Sequence, residues 1–144
     1  KGTNIILPSD FVCSKYDHES SQFDILSSDN IKDSDIGYDI GPETSMNFSM
    51  IIKNSDKVIW NGPMGMFEKP EYATGTQAIC YEIKESTLNN NLISIVGGGD
   101  TVRAIKSFTD TNNFTHVSTG GGASLKVLSG EKLDFVKSWE RYEK

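Results

Sequence analysis

Residues 93–101 read Ile93-Ser-Ile-Val-Gly-Gly-Gly-Asp-Thr101, a short apolar run that ends in three consecutive glycines. The same arrangement recurs at His116-Val-Ser-Thr-Gly-Gly-Gly-Ala-Ser124. Each glycine weakens a regular element by roughly 0.5–1 kcal/mol, so six of them need a physical reason. Without Cβ atoms, consecutive N–H groups can surround an anion, and a helix that starts there adds about half a positive charge. Two such loops side by side predict a site that binds a polyphosphate from two directions.

The charge balance excludes one class of partner. The chain carries 14 Lys and Arg against 20 Asp and Glu, a net charge of −6, and its basic residues are not clustered. Nucleic-acid binding requires a concentrated basic face, so no nucleic acid is expected to bind. A small anion is still compatible with this composition, because backbone amides and a metal ion can hold it.

Cysteine usage and hydropathy indicate a cytoplasmic protein. The two cysteines, Cys13 and Cys80, form neither a CxxC motif nor a disulfide framework. No apolar run approaches the roughly 20 residues that span a bilayer, so no membrane partner is expected. The chain begins with Lys1 and enters a strand-like run almost at once. We interpret it as an excised piece of a longer protein.

The apolar pattern predicts an α/β fold. Four runs without polar alternation are typical of strands covered on both faces, and they lie at residues 5–7, 58–60, 93–96 and 116–118. Helical spacing occupies 44–54 (capped near Thr44), 71–86, 102–108, 123–128 (ended by Gly130) and a last segment at 133–139. Residues 13–43 indicate weak or antiparallel strands, and 89–91 a surface turn. Together they predict a three-layer, doubly wound, mostly parallel sheet of Rossmann-like type, forming part of a domain.

The carboxyl ends of parallel strands meet at one edge of a sheet, where ligands bind. That edge would collect both glycine triplets and the Asn61-Gly62-Pro63 turn, which also follows a strand. The sequence therefore predicts one site built from three loops.

Asp100, directly after the first triplet, has two interpretations. It can be a helix N-cap that accepts a hydrogen bond from a nearby backbone N–H. Alternatively, the amides and the Thr101 hydroxyl bind phosphate while Asp100 holds Mg²⁺, which needs one or two carboxylates plus phosphate oxygens. Only the second interpretation predicts a metal.

The other loops also leave alternatives open. The second triplet carries no acid and suits a phosphoryl group, but a glycine turn can equally serve close helix–sheet packing. In residues 60–68, Met66 and Phe67 could form an apolar shelf for a base and Glu68 could bind ribose, or both apolar side chains could enter the core. The turn at 37–42 could flank a base or simply lead into a helix.

Three motifs in this order and spacing resemble the phosphoglycerate kinase family. They are Val-Ile-Trp-Asn-Gly-Pro-Met-Gly-Met-Phe-Glu at 58–68, Gly-Gly-Gly-Asp-Thr at 97–101 and Ser-Thr-Gly-Gly-Gly-Ala-Ser-Leu at 118–125, with two weaker matches at 7–12 and 39–44. The resemblance covers residues from about 4 to 132. It implies that residues 1–144 are the later half of a C-terminal nucleotide-binding domain, without the N-terminal substrate domain.

The resemblance also implies residue roles. Gly98, Gly99, Asp100 and Thr101 would contact nucleotide phosphates, with Asp100 on Mg²⁺. The amides of Gly120, Gly121 and Gly122 would face the phosphoryl group in transit, and those of Gly98 and Gly121 would be the catalytic groups there.

Further roles implied by the resemblance concern the nucleoside. Glu68 would bind the ribose, Gly37 the adenine, and Asn61 and Pro63 would line the nucleotide. The implied reaction is phosphoryl transfer between 1,3-bisphosphoglycerate and ADP, giving 3-phosphoglycerate and ATP, in a monomeric glycolytic enzyme of the cytoplasm.

This sequence departs from the family pattern in two ways. The family's catalytic arginine and phosphate-binding lysines lie in parts that are absent here, so the chain alone is expected to show negligible turnover. The family's Pro- and Gly-containing tail is replaced by Glu131-Lys-Leu-Asp-Phe-Val136. The alternatives to a kinase fragment are a non-catalytic nucleotide-binding module and a purely structural glycine-rich piece.

Overall fold

The computed structural model describes residues 2–15 and 23–133, which form two three-stranded sheets and four α-helices. The first sheet is antiparallel, in the order β2-β1-β3, and the second is parallel, in the order β4-β5-β6. The strands are β1 (Asp10–Lys15), β2 (Asp24–Ser27), β3 (Asp35–Ile40), β4 (Lys57–Asn61), β5 (Ile93–Gly97) and β6 (His116–Ser118). The helices are α1 (Pro42–Lys53), α2 (Thr74–Asn89), α3 (Gly99–Phe108) and α4 (Gly121–Leu128).

Helices cover both faces of the parallel sheet. Successive residues of a strand point to opposite faces, and Val96 of β5 packs in the core with Ile83 of α2 and Ile105 of α3. The preceding residue, Ile95, instead lines a cavity with Val127 of α4. The α/β class and the layered arrangement predicted from the sequence are therefore confirmed, with the repeating order β4-α2-β5-α3-β6.

The predicted strand at residues 5–7 is wrong. These residues form no ladder, and Ile5 and Leu7 are 82% and 75% exposed. A short apolar run looks the same in sequence whether or not a neighbouring strand pairs with it. The antiparallel strands predicted within residues 13–43 are confirmed, because they contribute to the first sheet. Only half of the described strands are therefore parallel. The last predicted helix falls, from residue 134 onwards, outside the described residues.

Helix α1 starts earlier than predicted, and its cap comes from another element. Pro42 is the first helical residue, where its missing N–H costs nothing. The N-cap residue Gly41 offers no side-chain bond. The buried Asp10 carboxylate of β1 accepts hydrogen bonds from the backbone N–H groups of Glu43 at 3.0 Å and Thr44 at 2.7 Å. Asp10 Oδ1 also accepts a hydrogen bond from the Thr44 hydroxyl at 2.6 Å. Thr44 is thus a buried partner of Asp10 rather than a cap.

Across the described ranges 2–15 and 23–133, the helices are all too short or too polar to cross a bilayer.

Candidate functional site

The two glycine triplets touch each other at the carboxyl edge of the parallel sheet. The Gly98 N–H donates to the Ser118 carbonyl oxygen at 3.1 Å. A Cβ placed on Gly121 would lie 3.2 Å from the Gly98 Cα. The prediction that the two loops lie side by side is confirmed, and their backbones are close enough to behave as one surface.

Different physical constraints apply to the glycines at different positions of the triplets. Gly98 has a φ of +97°, a conformation that L side chains rarely adopt, so its backbone requires glycine. A Cβ there would also lie 2.9 Å from Oδ1, the movable end of the Asn61 side chain. At Gly99 and Gly122 a Cβ would meet nothing within 4 Å. These two occupy the first turns of α3 and α4, where glycine is a poor helix former. Packing within the described residues leaves their identity unexplained.

The buried Thr101 hydroxyl forms hydrogen bonds to two loops of the site. Its side chain is fully buried, and Oγ1 accepts from the Gly62 N–H at 2.7 Å while donating to the Gly97 carbonyl oxygen at 2.8 Å. The hydroxyl proton is therefore already used, which corrects the interpretation that it binds phosphate. Thr101 can still offer its backbone N–H, which lies in the first turn of α3 and has no intrahelical acceptor.

Asp100 is not an N-cap, which corrects the first of its two interpretations. Helix α3 is preceded by Gly98 at the cap position, and the Asp100 carboxylate is 70% exposed. Its Oδ1 accepts from Arg103 Nη2 at 2.7 Å. The same Nη2 lies 3.5 Å from Glu68 Oε1. Sequence reasoning missed Arg103, although residues three apart on a helix share a face.

The loop after β4 is pinned at several points. The buried Thr76 hydroxyl of α2 accepts from the N–H groups of Met64 and Gly65, each at 3.1 Å. Trp60 Nε1 donates to the Gly62 carbonyl at 2.7 Å. Phe67 is buried in the core, so the proposed apolar shelf is wrong for that residue, whereas Met66 stays 36% exposed.

A buried carboxyl underlies this loop. Asp39 of β3 is 3% exposed, and it accepts from the N–H groups of Gly75 at 2.6 Å and Ile40 at 2.9 Å. A Cβ on Gly65 or Gly75 would overlap its side chain. Burial raises the pKa of Asp39 to about 6, against the lowering effect of these two hydrogen bonds. Asp39 was not singled out as a site residue from the sequence.

The structure brings most of the sequence-predicted site residues together. Asn61 pairs with Gly97 in the ladder between β4 and β5. Gly98 lies against Gly121, and Arg103 links Asp100 to Glu68. Pro63 lies in the pinned loop, and Gly120 donates its N–H to the Ser118 hydroxyl at 3.2 Å. Gly37 lies in the other sheet, and its neighbour Tyr38 accepts the Met66 N–H at 2.8 Å.

The arrangement fits a phosphate ligand with a magnesium ion. The first turns of α3 and α4 each leave backbone N–H groups without intrahelical acceptors, and both helices start at the shared edge. Within the described part of the chain, no group of three or more His, Cys, Asp or Glu could hold a metal on its own. Mg²⁺ is commonly held by one or two carboxylates together with phosphate oxygens and water, and the exposed Asp100 could provide one such carboxylate.

A parallel α/β sheet with adjoining amide loops at its carboxyl edge is an arrangement in which α/β proteins commonly bind phosphate groups. The family model of phosphoglycerate kinase matches residues 1–131 of this chain. The chain belongs to the phosphoglycerate kinase family.

Individual relatives agree with this assignment. The chain is 40% identical over 141 residues to the phosphoglycerate kinase of Onion yellows phytoplasma, covering 98% of this chain and 35% of that protein. It is 45% identical over 136 residues to that of Dictyoglomus turgidum, covering 94% and 34%. The solved phosphoglycerate kinase of Coxiella burnetii superposes with a TM-score of 0.79 at 33% identity, covering 88% of this chain and 32% of that one. The chain thus spans about a third of the length of the relatives it matches.

Proposed function

We propose that this chain forms part of the Mg-nucleotide site of a phosphoglycerate kinase, within the later half of its C-terminal domain. The parent reaction would be the glycolytic transfer of a phosphoryl group between 1,3-bisphosphoglycerate and ADP. The family membership and the matched share of the relatives support this proposal.

The observation that carries the proposal is the open space above Gly99 and Gly122. Both lie in first helical turns, where backbone N–H groups have no intrahelical acceptor, and neither is needed for packing among the described residues. A glycine that weakens a helix without any packing reason is accounted for when a ligand must approach the backbone closely.

Each loop then has a distinct role. The N–H groups at the start of α3 hold the nucleotide phosphates, and those at the start of α4, including Gly121, face the phosphoryl group that moves. Asn61 and Pro63 line the nucleotide, Glu68 accepts from the ribose hydroxyls, and Gly37 flanks the base.

Catalysis of such a transfer consists mainly of positioning and charge neutralisation. Asp100 would hold Mg²⁺, and the bound ion would neutralise charge on the phosphate oxygens. Amide dipoles fixed in place before the reaction stabilise developing negative charge without reorganisation. Gly98 and Gly121 approach each other closely, so the two sets of amides lie side by side.

Asp100→Asn is expected to remove most of the Mg²⁺ dependence of ADP binding, because the amide lacks the charge that holds the ion. The affinity for ADP at saturating Mg²⁺ should fall about tenfold, equivalent to roughly 1.4 kcal/mol. Isothermal titration of the complete gene product that contains residues 1–144, with and without Mg²⁺, measures both quantities. Asp56→Asn, an equal charge change at an exposed position just before β4, is the matched control. An undiminished Mg²⁺ effect in Asp100→Asn contradicts the metal role.

Gly99→Ala and Gly122→Ala are expected to act in opposite directions on stability and binding. Alanine favours a helix over glycine by up to about 1 kcal/mol, and no neighbour opposes the new Cβ, so thermal unfolding should shift upward. The same Cβ would stand where the phosphates approach, and ADP affinity should fall about tenfold. Gly2→Ala, also in open space, controls for the general effect of removing a glycine. Stabilised variants with unchanged ADP affinity would show that the open space is not used by the ligand.

A further inference from the structure

Arg103 joins the two carboxylates of the proposed site. Its Nη2 lies 2.7 Å from Asp100 Oδ1 and 3.5 Å from Glu68 Oε1. Its guanidinium carbon also lies 5.9 Å from the centroid of the Phe67 ring. Glu68 follows β4 whereas Asp100 lies in α3, so one cation spans the two loops that would hold the ribose and the metal.

The two ion pairs are exposed and therefore exchangeable. The side chains of Arg103, Asp100 and Glu68 are 64%, 70% and 52% exposed. Exposed ion pairs contribute little to folding stability, and the fold around them rests on buried contacts of Thr101, Val102 and Ile105. The guanidinium can leave Asp100 without disturbing the helix that carries it.

Arg103 and a metal ion would use the same carboxylate. Oδ1 of Asp100, which accepts the shorter bond from Arg103, is an oxygen of the type that Mg²⁺ coordinates. Two cations on one carboxylate repel each other. Glu68 and the face of the Phe67 ring offer the displaced guanidinium a second position within the same site.

We propose that Arg103 is a positioning residue that occupies Asp100 until Mg²⁺ arrives and is then held by Glu68 and Phe67 beside the nucleotide. The inference rests on the proposed function of this site as a Mg-nucleotide site. This role predicts that Arg103 has opposite effects on the binding of Mg²⁺ and on the binding of ADP without metal. Arg103 competes with the metal, so it weakens Mg²⁺ binding, and it adds a positive charge near the phosphates, so it strengthens ADP binding when no metal is present.

Arg103→Gln tests both parts in the complete gene product. The Mg²⁺ concentration that gives half of the full enhancement of ADP binding should fall about three- to fivefold, the range of an exposed ion pair. The affinity for ADP without Mg²⁺ should fall about two- to threefold. Isothermal titration of ADP across a series of Mg²⁺ concentrations gives both values. Arg103→Lys keeps the positive charge that acts on Asp100 and on the phosphates, and it should bring both values back to within about twofold of the wild type.

Lys106→Gln provides the matched control, because it removes one charge from an exposed position of the same helix. It should move neither value appreciably. A loss of structure would reduce metal-free and metal-dependent binding together, so opposite shifts cannot come from misfolding. An unchanged or increased Mg²⁺ requirement in Arg103→Gln overturns the inference.

The outcomes separate this inference from the proposed function. If the wild type binds ADP with Mg²⁺ and Asp100→Asn loses that dependence, while Arg103→Gln behaves as wild type, only the role of Arg103 fails. If the wild type shows no Mg²⁺-dependent ADP binding, the proposed function fails and the inference fails with it. A double-mutant cycle of Arg103→Gln and Asp100→Asn in unfolding measures the pair without any nucleotide, and zero coupling also counts against the inference.

Discussion

Asp10→Ala is expected to lower the free energy of unfolding by about 4 kcal/mol, the largest effect of any single substitution considered in this chain. The carboxylate accepts two backbone N–H groups at the start of α1 and the hydroxyl of buried Thr44. Alanine leaves the two backbone N–H groups without this acceptor, and the Thr44 hydroxyl keeps only the longer bond, at 3.2 Å, to the Asp10 carbonyl oxygen. Urea unfolding followed by circular dichroism gives the difference.

Two further variants show whether the cap is responsible. Asp10→Asn keeps an acceptor oxygen and should lose only about half as much stability. Asp33→Ala removes an equal charge from an exposed turn and should change stability by less than about 0.5 kcal/mol. A loss in Asp10→Ala no greater than in Asp33→Ala would mean that α1 does not depend on this cap.

The free energy of unfolding is expected to fall by about 2 kcal/mol between pH 4 and pH 6 because of Asp39, out of about 3 kcal/mol in total at roughly 1.4 kcal/mol per pKa unit. Burial raises the Asp39 pKa to about 6 from its ordinary 3.8. In that window the folded chain keeps a proton on Asp39 that the unfolded chain has lost. This contribution to stability is fully present below pH 3.8 and disappears as pH rises through the folded-state pKa.

Asp39→Asn isolates this contribution, since the amide keeps an acceptor oxygen for the Gly75 N–H but cannot ionise. The stability of the variant relative to the wild type should rise by about 2.5 kcal/mol between pH 4 and pH 7.5. Urea unfolding at four or five pH values measures the difference, with Asp33→Asn as the exposed control. Two parallel stability curves for wild type and Asp39→Asn would refute the assigned pKa.

The two buried aspartates illustrate why the environment of a carboxyl group, rather than the residue type, sets the direction of its pKa shift. Burial raises the pKa of Asp10 as well, but the hydrogen bonds from Thr44 and Glu43 outweigh it and leave the pKa below 3.8. The stability due to Asp10 is therefore present above that pH and is lost as the pH falls through its lowered pKa. In the acid range, Asp10 and Asp39 therefore change the stability of the fold in opposite directions as the pH rises.

The parallel half of the fold was predictable because its signals are local. An apolar run, a glycine triplet and a helical repeat follow one another within about 15 residues of β5 and again of β6. The wrong strand at residues 5–7 and the displaced start of α1 have a different origin. Pairing partners and the Asp10 cap are supplied by segments far away in sequence, 34 residues in the case of Asp10 and Thr44.

In the candidate site, too, local features were predictable from the sequence, whereas contacts between distant segments were not. The glycine loops and their common edge followed from strand direction alone. The hydroxyl of Thr101 is already hydrogen-bonded within the protein, and Arg103 bridges two loops. Both features depend on the distance between β4 and α3, which a pattern of residue types does not contain. Arg103 could have been linked to Asp100 by helical spacing, but its contact with Glu68 required the fold.

Alanine scanning of this site would assign the wrong role to one residue. The single oxygen of the Thr101 side chain sets the gap between the turn at Gly62 and the end of β5. A substitution that removed it would let the walls of the site drift apart, and ligand affinity would fall although no contact with the ligand had been deleted. At this position a drop in affinity reports the spacing of the loops, and a serine, which keeps the oxygen, separates spacing from contact.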